Sequence, residues 1–366
     1  MPGAINPFFY ESPADAREFT DREALLPALR QLMSEQGRRL LIFGRRRMGK
    51  TSLIRQAGAG KGRRFILCDI SAAASLNELA KKIMEAAPVQ KGDKLSKALE
   101  LAGKYLKSVS VTAGKIVISG DLRAADGEQT LEQVLNYLND SAGGLDEVWT
   151  VCLDEFQEIR RLGGERVDWG LRGIIQNHKN LNYIFTGSDH RLIGWMTDQS
   201  APFFKQLAQM EVGPIDAAHL ARWIKDRAKI GGISDFAYGA KIVEMAGPCT
   251  GDIVRLAKTV FDMASREFPG GTVETAFDAI DLLELNQEFL NQWRPLGVNE
   301  RAVLRAIAAG KPPTGSETLR EYGINASSTA AHAVENLVNL QFLVRTGSGV
   351  IFDNPFFRRW VDFNGV

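Results

Sequence analysis

Hydrophobic residues occur in short continuous runs along the first part of the chain and at helical spacing in the rest. Four such runs cover residues 39–44, 64–71, 147–156 and 181–189. Runs that are apolar throughout are typical of parallel strands covered on both faces. Because segments of helical periodicity separate them, residues 1–212 predict an α/β domain built on a parallel sheet.

Shorter segments fill the intervals between these strands. Residues 75–86, 94–107 and 130–140 have the spacing of amphipathic helices. Residues 108–122 alternate between apolar and polar positions on either side of a glycine, which predicts a hairpin.

The pattern changes near residue 213. Residues 213–294 have helical periodicity throughout and predict a small all-helical domain. Residues 295–366 contain three helical stretches followed by two strand-like runs around a glycine-rich turn. This order predicts a winged helix, a variant of the helix-turn-helix. The sequence therefore indicates three domains, covering residues 1–212, 213–294 and 295–366.

Charge and cysteine content limit the functional classes and the compartments to which the protein is expected to belong. Lys plus Arg number 45 and Asp plus Glu 44 in 366 residues, so no overall charge excess indicates a nucleic-acid or membrane protein. Two of the three cysteines, Cys68 and Cys152, fall within apolar runs, which fits a reducing compartment. The chain lacks the roughly 18 to 20 apolar residues of a membrane span and the pattern of a signal peptide. We expect a cytoplasmic protein without a membrane partner.

The first strand-like run ends in the loop "GRRRMGKT", which satisfies G-x-x-x-x-G-K-[ST] from Gly44 to Thr51. The glycines let backbone N–H groups face phosphate oxygens, and the following helix adds the positive end of its dipole. Lys50 is expected to reach the β and γ phosphates, and Thr51 to offer a hydroxyl to Mg²⁺. The loop residues expected to contact the nucleotide are Gly44, Arg45, Arg46, Arg47, Met48, Gly49, Lys50, Thr51 and Ser52.

A pair of acids supports the same site. The run "VWTVCLDEF" ends in Asp154 and Glu155, after a strand predicted to be buried. Asp154 is expected to hold the Mg²⁺ shell, and Glu155 to polarise the attacking water. The pair predicts binding of ATP or GTP with Mg²⁺, and the Asp-Glu order favours hydrolysis of ATP.

Three further residues are candidate sensors of the γ-phosphate. Thr186 and Ser188 end the fourth strand-like run, where either hydroxyl is placed to bond the γ-phosphate or the lytic water; a turn or a helix cap is the alternative. Arg255 lies one turn into a helix of the all-helical domain. It is a candidate to couple the γ-phosphate to the angle between domains, and a solvated charge is the alternative.

Taken together, the segments "LLIFGRRRMGKTSLI", "VCLDEFQEI", "YIFTGS" and "VIFDNPFFRRW" resemble the archaeal-type AAA+ ATPases. These are P-loop proteins similar to the origin-recognition ATPases and to the signal-transduction ATPases with numerous domains. The resemblance covers nearly the whole chain and implies a P-loop NTPase core, a helical lid and a C-terminal winged helix. It also implies that the segment around Phe19, Asp21 and Arg22 lies near the adenine. Where such proteins often carry an arginine that contacts nucleotide across domains or subunits, this chain has Lys205.

Local charge bears on the choice of partner. Residues 37–64 contain ten Lys or Arg and no Asp or Glu, a region that would attract ATP and an acidic or nucleic-acid partner. The helix expected to read DNA, residues 326–340, contains no Lys or Arg. The winged helix therefore has three alternative roles: contact with DNA, docking of a protein, or a purely structural role. The side chains available for DNA contact there are Asn325, Ser327, Ser328, His332 and Arg345.

The sequence indicates an ATP-binding and ATP-hydrolysing switch whose nucleotide state controls self-assembly or the binding of a protein or DNA. One alternative is a DNA-binding regulator that holds ATP as a structural ligand. Another is a signalling scaffold whose winged helix docks a protein.

Overall fold

The computed structural model describes most of the chain. The described residues are 5–60, 64–88, 102, 109–112, 115–118, 126–164, 166–188, 196, 198–199, 201–266, 271–280, 285–347 and 349–364. They divide into two compact units, which we call the core unit (residues 11–214) and the C-terminal unit (residues up to Tyr10 together with Ile215 onward). The predicted helix 94–107 lies outside the described residues except for residue 102. The domain boundaries near residues 212 and 294 stay a prediction.

A five-stranded parallel sheet forms the centre of the core unit. The strands of the described residues are β1 (Arg39–Phe43), β2 (Arg64–Asp69), β3 (Val109–Thr112), β4 (Lys115–Ile118), β5 (Trp149–Asp154), β6 (Leu181–Gly187), β7 (Ala208–Glu211), β8 (Leu343–Thr346) and β9 (Gly349–Phe352). Their order in the sheet is β2-β5-β6-β1-β7, and every neighbouring pair is parallel. The four predicted parallel strands and the β3-β4 hairpin are confirmed.

Strand β7 does not follow from the hydrophobic pattern. Its four residues, "AQME", are largely exposed and lack the apolar run that marks the other strands of the sheet. It pairs with β1 at the edge of the sheet, with Ala208 opposite Leu40. An edge strand needs few buried side chains, so its sequence carries little periodic signal.

Helices surround the sheet and make up most of the C-terminal unit. In the core unit they are α1 (Leu25–Ser34), α2 (Lys50–Gly58), α3 (Leu76–Ala86), α4 (Gly127–Gly144), α5 (Ile159–Gly163) and α6 (Val167–Ile175). In the C-terminal unit they are α7 (Ala217–Ile230), α8 (Gly239–Ala246), α9 (Thr250–Ser265), α10 (Val273–Ala279), α11 (Asn286–Trp293), α12 (Val298–Ala308), α13 (Ser316–Glu321), α14 (Ser327–Asn339) and α15 (Pro355–Asn364).

Burial in the core unit follows the apolar runs of the sequence. Every residue of β5 and of β6 is buried. Cys68 and Cys152 form no disulfide and are buried, and burial raises the pKa of both thiols, that of Cys68 to about 12. The thiols are therefore neutral at physiological pH and pack as small hydrophobic groups.

The all-helical region and the winged helix share one hydrophobic core within the C-terminal unit. Phe277 of α10 stacks on Phe356 of α15 with ring centroids 4.5 Å apart. Two polar contacts join the same regions: the Arg359 guanidinium donates to Asp278 at 2.9 Å, and the Trp360 indole N–H donates to Asn286 at 2.7 Å. Helix α15, which the hydrophobic pattern does not predict, therefore links the two regions.

The N-terminal residues pack on the same unit. Phe8 is 1% exposed and meets the rings of Trp223 and Phe261 edge-on, each at 5.9 Å between centroids. The Asn6 side-chain amide donates to the Lys258 carbonyl at 2.9 Å. The segment from Ile5 to Tyr10 thus belongs structurally to the C-terminal unit.

We expect Phe356→Ala to destabilise the all-helical region and the winged helix together, because its ring lies in the core that they share. Large-to-small changes of buried aromatic residues cost about 3–5 kcal/mol. Hydrogen exchange should therefore accelerate in both α10 and β9. As a control, Phe363→Ala in the same helix removes a ring that is 59% exposed and should cost less than about 1 kcal/mol. Faster exchange confined to the winged helix would contradict a shared core.

Candidate functional site

The loop between β1 and α2 depends on two glycines with unusual backbone angles. Gly44 has φ 148°, and a Cβ added there would lie 2.4 Å from the carbonyl oxygen of Val212. Gly49 has φ 85° and directly precedes α2. Both positions exclude ordinary side chains on backbone grounds, which explains the glycines of the motif.

Lys50 and Thr51, the first residues of α2, point their polar atoms toward the loop and the sheet. The Lys50 ammonium donates to the carbonyls of Gly44 and Arg45 at 2.8 and 2.9 Å. The Thr51 hydroxyl donates to Asp154 Oδ2 at 2.8 Å. The structure thus brings the loop and the first acid of the predicted pair into direct contact.

Asp154 is fixed by hydrogen bonds to both of its carboxylate oxygens. Its Oδ1 accepts from the hydroxyl of Thr186, the penultimate residue of β6, and β6 lies between β1 and β5 in the sheet. The residue is 7% exposed. A threonine hydroxyl and a carboxylate side by side are oxygen ligands of the kind that Mg²⁺ takes, with phosphate oxygens and water supplying the rest. Thr51 and Asp154 therefore fit the predicted metal role.

Glu155 occupies a left-handed backbone conformation, with φ 52°. Such a conformation in a glutamate is strained and tends to occur at functional positions. Its carboxylate Oε2 accepts from the Ser188 hydroxyl at 3.2 Å and from the side-chain amide of Gln157. Its backbone N–H lies 3.3 Å from the Thr186 hydroxyl. The two candidate sensor hydroxyls and Glu155 are therefore adjacent.

The three loop arginines have different surroundings. Arg46 is exposed, and its Nε donates to the Ser188 hydroxyl at 3.4 Å. Arg47 is exposed and has φ 60°, whereas Arg45 is half-buried. Arg46 thus lies against the sensor strand rather than away from the site.

Other predicted nucleotide contacts have structural partners. The Ser52 hydroxyl accepts from the backbone N–H of Ala14 at 3.0 Å. The Arg22 guanidinium donates to the carbonyls of Met48 and Gly213 at 3.1 and 2.9 Å. These bonds place residues 14 and 22 beside the loop; that this segment lies near the adenine stays a prediction.

Arg255 lies in helix α9 of the C-terminal unit. Its guanidinium is 5.0 Å from the centroid of the Tyr10 ring and 5.9 Å from that of Phe356. These are cation–π distances within that unit. Its role as a γ-phosphate sensor stays a prediction.

Some arginines of the basic region 37–64 are engaged within the core unit. Arg39 donates to the carbonyl of Ile175 at 2.8 Å, and Arg64 is paired with Glu147 at 3.0 Å. These side chains stabilise the fold. Residues 61–63 lie outside the described residues.

The winged helix presents a mixed surface. Ser328, His332 and Asn336 of α14 line a shallow cavity together with Glu300, an acid. Arg345 on β8 is paired with Glu335 of α14. The positive charge of Arg345, beside the predicted DNA-reading helix, is therefore partly offset within the unit.

Sequence reasoning missed two groups at this site. Gln157 follows the acid pair and bonds Glu155, but a glutamine in a helical turn carries no distinctive pattern. Val212 and Gly213 contact the loop through their backbone, which no side-chain motif records.

Solved structures of other proteins have the same fold as this chain. The Walker-type ATPase of Pyrococcus abyssi is similar over 96% of this chain and 99% of its own, with 20% identity and a TM-score of 0.70. The ORC2 protein of Aeropyrum pernix in its ADP form is similar over 95% of this chain and 91% of its own, with 14% identity and a TM-score of 0.54. This protein has the fold of a Walker-type ATPase.

The predicted AAA+ architecture is confirmed at the level of the fold, with a P-loop sheet core, a helical region and a C-terminal winged helix. Residues 287–362 match the model of a family described as a probable winged helix domain. The ORC1 protein of Aeropyrum pernix in complex with DNA is similar over 94% of this chain and 93% of its own, with 16% identity and a TM-score of 0.50. No curated protein matches the chain. Within the described ranges, no helix combines the length and hydropathy needed to cross a membrane.

We expect Gly44→Ala to destabilise the core unit, because an alanine Cβ collides with the Val212 carbonyl and φ 148° is unfavourable for it. Backbone strain of this kind costs about 1–3 kcal/mol. Thermal unfolding measures it. The matched control is Gly173→Ala in α6, where an added Cβ has no atom within 4 Å. Equal melting temperatures for the two variants would contradict this account of the loop.

Proposed function

We propose that the protein binds Mg²⁺-ATP, hydrolyses it, and uses its nucleotide state to control assembly or the binding of DNA or another partner. The observation that carries the proposal is the 2.8 Å bond between the Thr51 hydroxyl and Asp154, which joins the two predicted phosphate and metal motifs. The fold of the Walker-type ATPases supports it.

Each residue of the site has a role in this proposal. Backbone N–H groups from Gly44 to Thr51 would bind the phosphates, and Lys50 would leave the loop carbonyls to pair with the β and γ phosphates. Thr51 and Asp154 would hold Mg²⁺. When bound, the ion offsets negative charge on the phosphate oxygens.

Glu155 is the proposed general base. Its carboxylate lies next to Ser188 and Gln157, whose hydrogen bonds orient it. A water held by Glu155 and Ser188 would attack the γ-phosphorus, and Glu155 would take up its proton. The bond between the γ-phosphorus and the β–γ bridging oxygen would break, and ADP would leave. Thr186 keeps Asp154 in place and does not itself need to meet the nucleotide.

Two other functions remain as alternatives, each with its own support. A DNA-binding regulator with ATP as a structural ligand is favoured by the winged helix and by the similarity to the DNA-bound ORC1 protein. A signalling scaffold is favoured by the Arg345–Glu335 pair and by Glu300, which reduce positive charge on the winged helix. In either case the nucleotide site would be the same.

We expect Glu155→Gln to bind ATP normally and to lose turnover, because the amide keeps the shape of the carboxylate but cannot accept a proton. Loss of a general base lowers kcat by about 10²–10⁴-fold. Lys50→Ala should instead abolish ATP binding. Calorimetry measures the affinity, and phosphate release measures turnover.

The matched control for the base is Glu158→Gln. Glu158 is three residues away and pairs with Arg161 at 3.0 Å, outside the loop. It undergoes the same chemical change and should retain normal turnover. Normal hydrolysis by Glu155→Gln would show that another group is the base.

The choice of partner has a direct test in the salt dependence of ATP hydrolysis. If DNA is the partner, duplex DNA should stimulate hydrolysis, and the stimulation should fall steeply between two salt concentrations, because phosphate contacts release counterions. ATPase rate and particle mass, each with and without duplex DNA, measure this. ATP-dependent assembly that is the same with and without DNA would favour the signalling scaffold and would contradict a DNA-bound switch.

A further inference from the structure

The segment from Val212 to Pro214 leads out of the core unit, and it touches the phosphate loop through its backbone. The Val212 N–H donates to the Phe43 carbonyl at 2.8 Å, just before the loop begins. The Val212 carbonyl lies so close to Gly44 that a Cβ there would come within 2.4 Å. The first glycine of the loop and this segment therefore cannot shift independently.

Arg22 makes a second connection between the same two segments. One of its terminal nitrogens, Nη2, donates to the Met48 carbonyl inside the loop at 3.1 Å and to the Gly213 carbonyl at 2.9 Å. Both acceptors are backbone carbonyls, so each hydrogen bond depends directly on where the main chain of its segment lies. Hydrogen bonds from a charged donor are stronger than neutral ones.

Arg22 is a buried charged residue in an unfavourable backbone conformation. It is 9% exposed, and burial lowers the pKa of its guanidinium. Arg22 and its neighbour Asp21 both have positive φ, 75° and 60°. Two adjacent strained residues persist only where surrounding contacts fix them, and they occur at sites of ligand binding and switching.

We propose that Arg22 is a positioning residue that couples the filling of the phosphate loop to the segment 212–214, which continues into the C-terminal unit at Ile215. The inference rests on the proposed function, since a nucleotide must enter the loop. A phosphate that reorients the Met48 peptide changes the acceptor that Arg22 shares with Gly213. Pro214, whose ring restricts its φ, leaves the segment little freedom to absorb that change locally.

The test is a distance measurement between the units. Cysteines introduced at Asn177 and Lys225, both exposed, carry spin labels, because the native cysteines are buried. Double electron–electron resonance spectroscopy then records the distribution of distances between the two labels, with and without Mg²⁺ and a nonhydrolysable ATP analogue. In the otherwise unchanged chain, we expect the analogue to alter the ratio of the distance populations by at least about fivefold, at the lower end of coupling between sites.

With the analogue at saturating concentration, Arg22→Ala should reduce that change to less than about twofold, whatever its effect on the affinity. Arg22→Lys keeps the charge but lacks the planar fork, so it should fold and give an intermediate change. The matched control is Arg30→Ala, which also removes an arginine bond to a backbone carbonyl, that of Gln56 at 3.1 Å. Among the described residues, Arg30 has no hydrogen bond to the segment 212–214, so its variant should respond like the parent.

The outcomes separate this inference from the proposed function. If the parent chain fails to bind the analogue, the proposed function is wrong. If the parent binds and responds but Arg22→Ala and Arg22→Lys respond equally well, the coupling role is wrong. Weaker analogue binding in Arg22→Ala, with a full response once the analogue is saturating, would instead make Arg22 a nucleotide ligand and overturn the inference.

Discussion

The hydrogen bond between Thr51 and Asp154 is the constraint on which the rest of the site depends. It joins the helix after β1 to the end of β5, although β6 separates these strands in the sheet. The Thr186 hydroxyl fills that interval and holds the second oxygen of Asp154. The strand order β5-β6-β1 therefore determines which side chains meet, and Glu155 follows from it as the next residue along the chain.

Much of this arrangement is predictable from sequence. The apolar runs indicate β1, β2, β5 and β6 because strands buried on both faces need nonpolar residues at every position. The spacing of Gly44, Lys50 and Thr51 identifies the loop because each residue type is required by backbone geometry or charge. A strand ending in two acids then identifies the opposite side of the site. The winged helix follows from the order of its elements.

The remaining features have weaker signals for physical reasons. Strand β7 is short and exposed at the sheet edge, so no periodicity marks it. Partners of Arg22 are carbonyl groups, which every residue has, and only the folded chain selects them. Helix α15 did have a signal: Asn354 accepts from the Phe356 N–H at 2.9 Å, and Pro355 begins the helix, a common N-terminal pattern. Attention to capping would have predicted it.

The common core of the C-terminal unit has a mechanical consequence. Since α9, α10, α14 and α15 contribute side chains to the same closely packed cluster, a rotation of α9 that left α14 in place would have to disrupt that packing. A duplex offers its base edges at fixed intervals along the groove, so a rigidly carried helix either matches that spacing or misses it. If the winged helix binds DNA, as one of the proposed functions requires, stiffness of this kind would make the engagement of a duplex abrupt instead of graded.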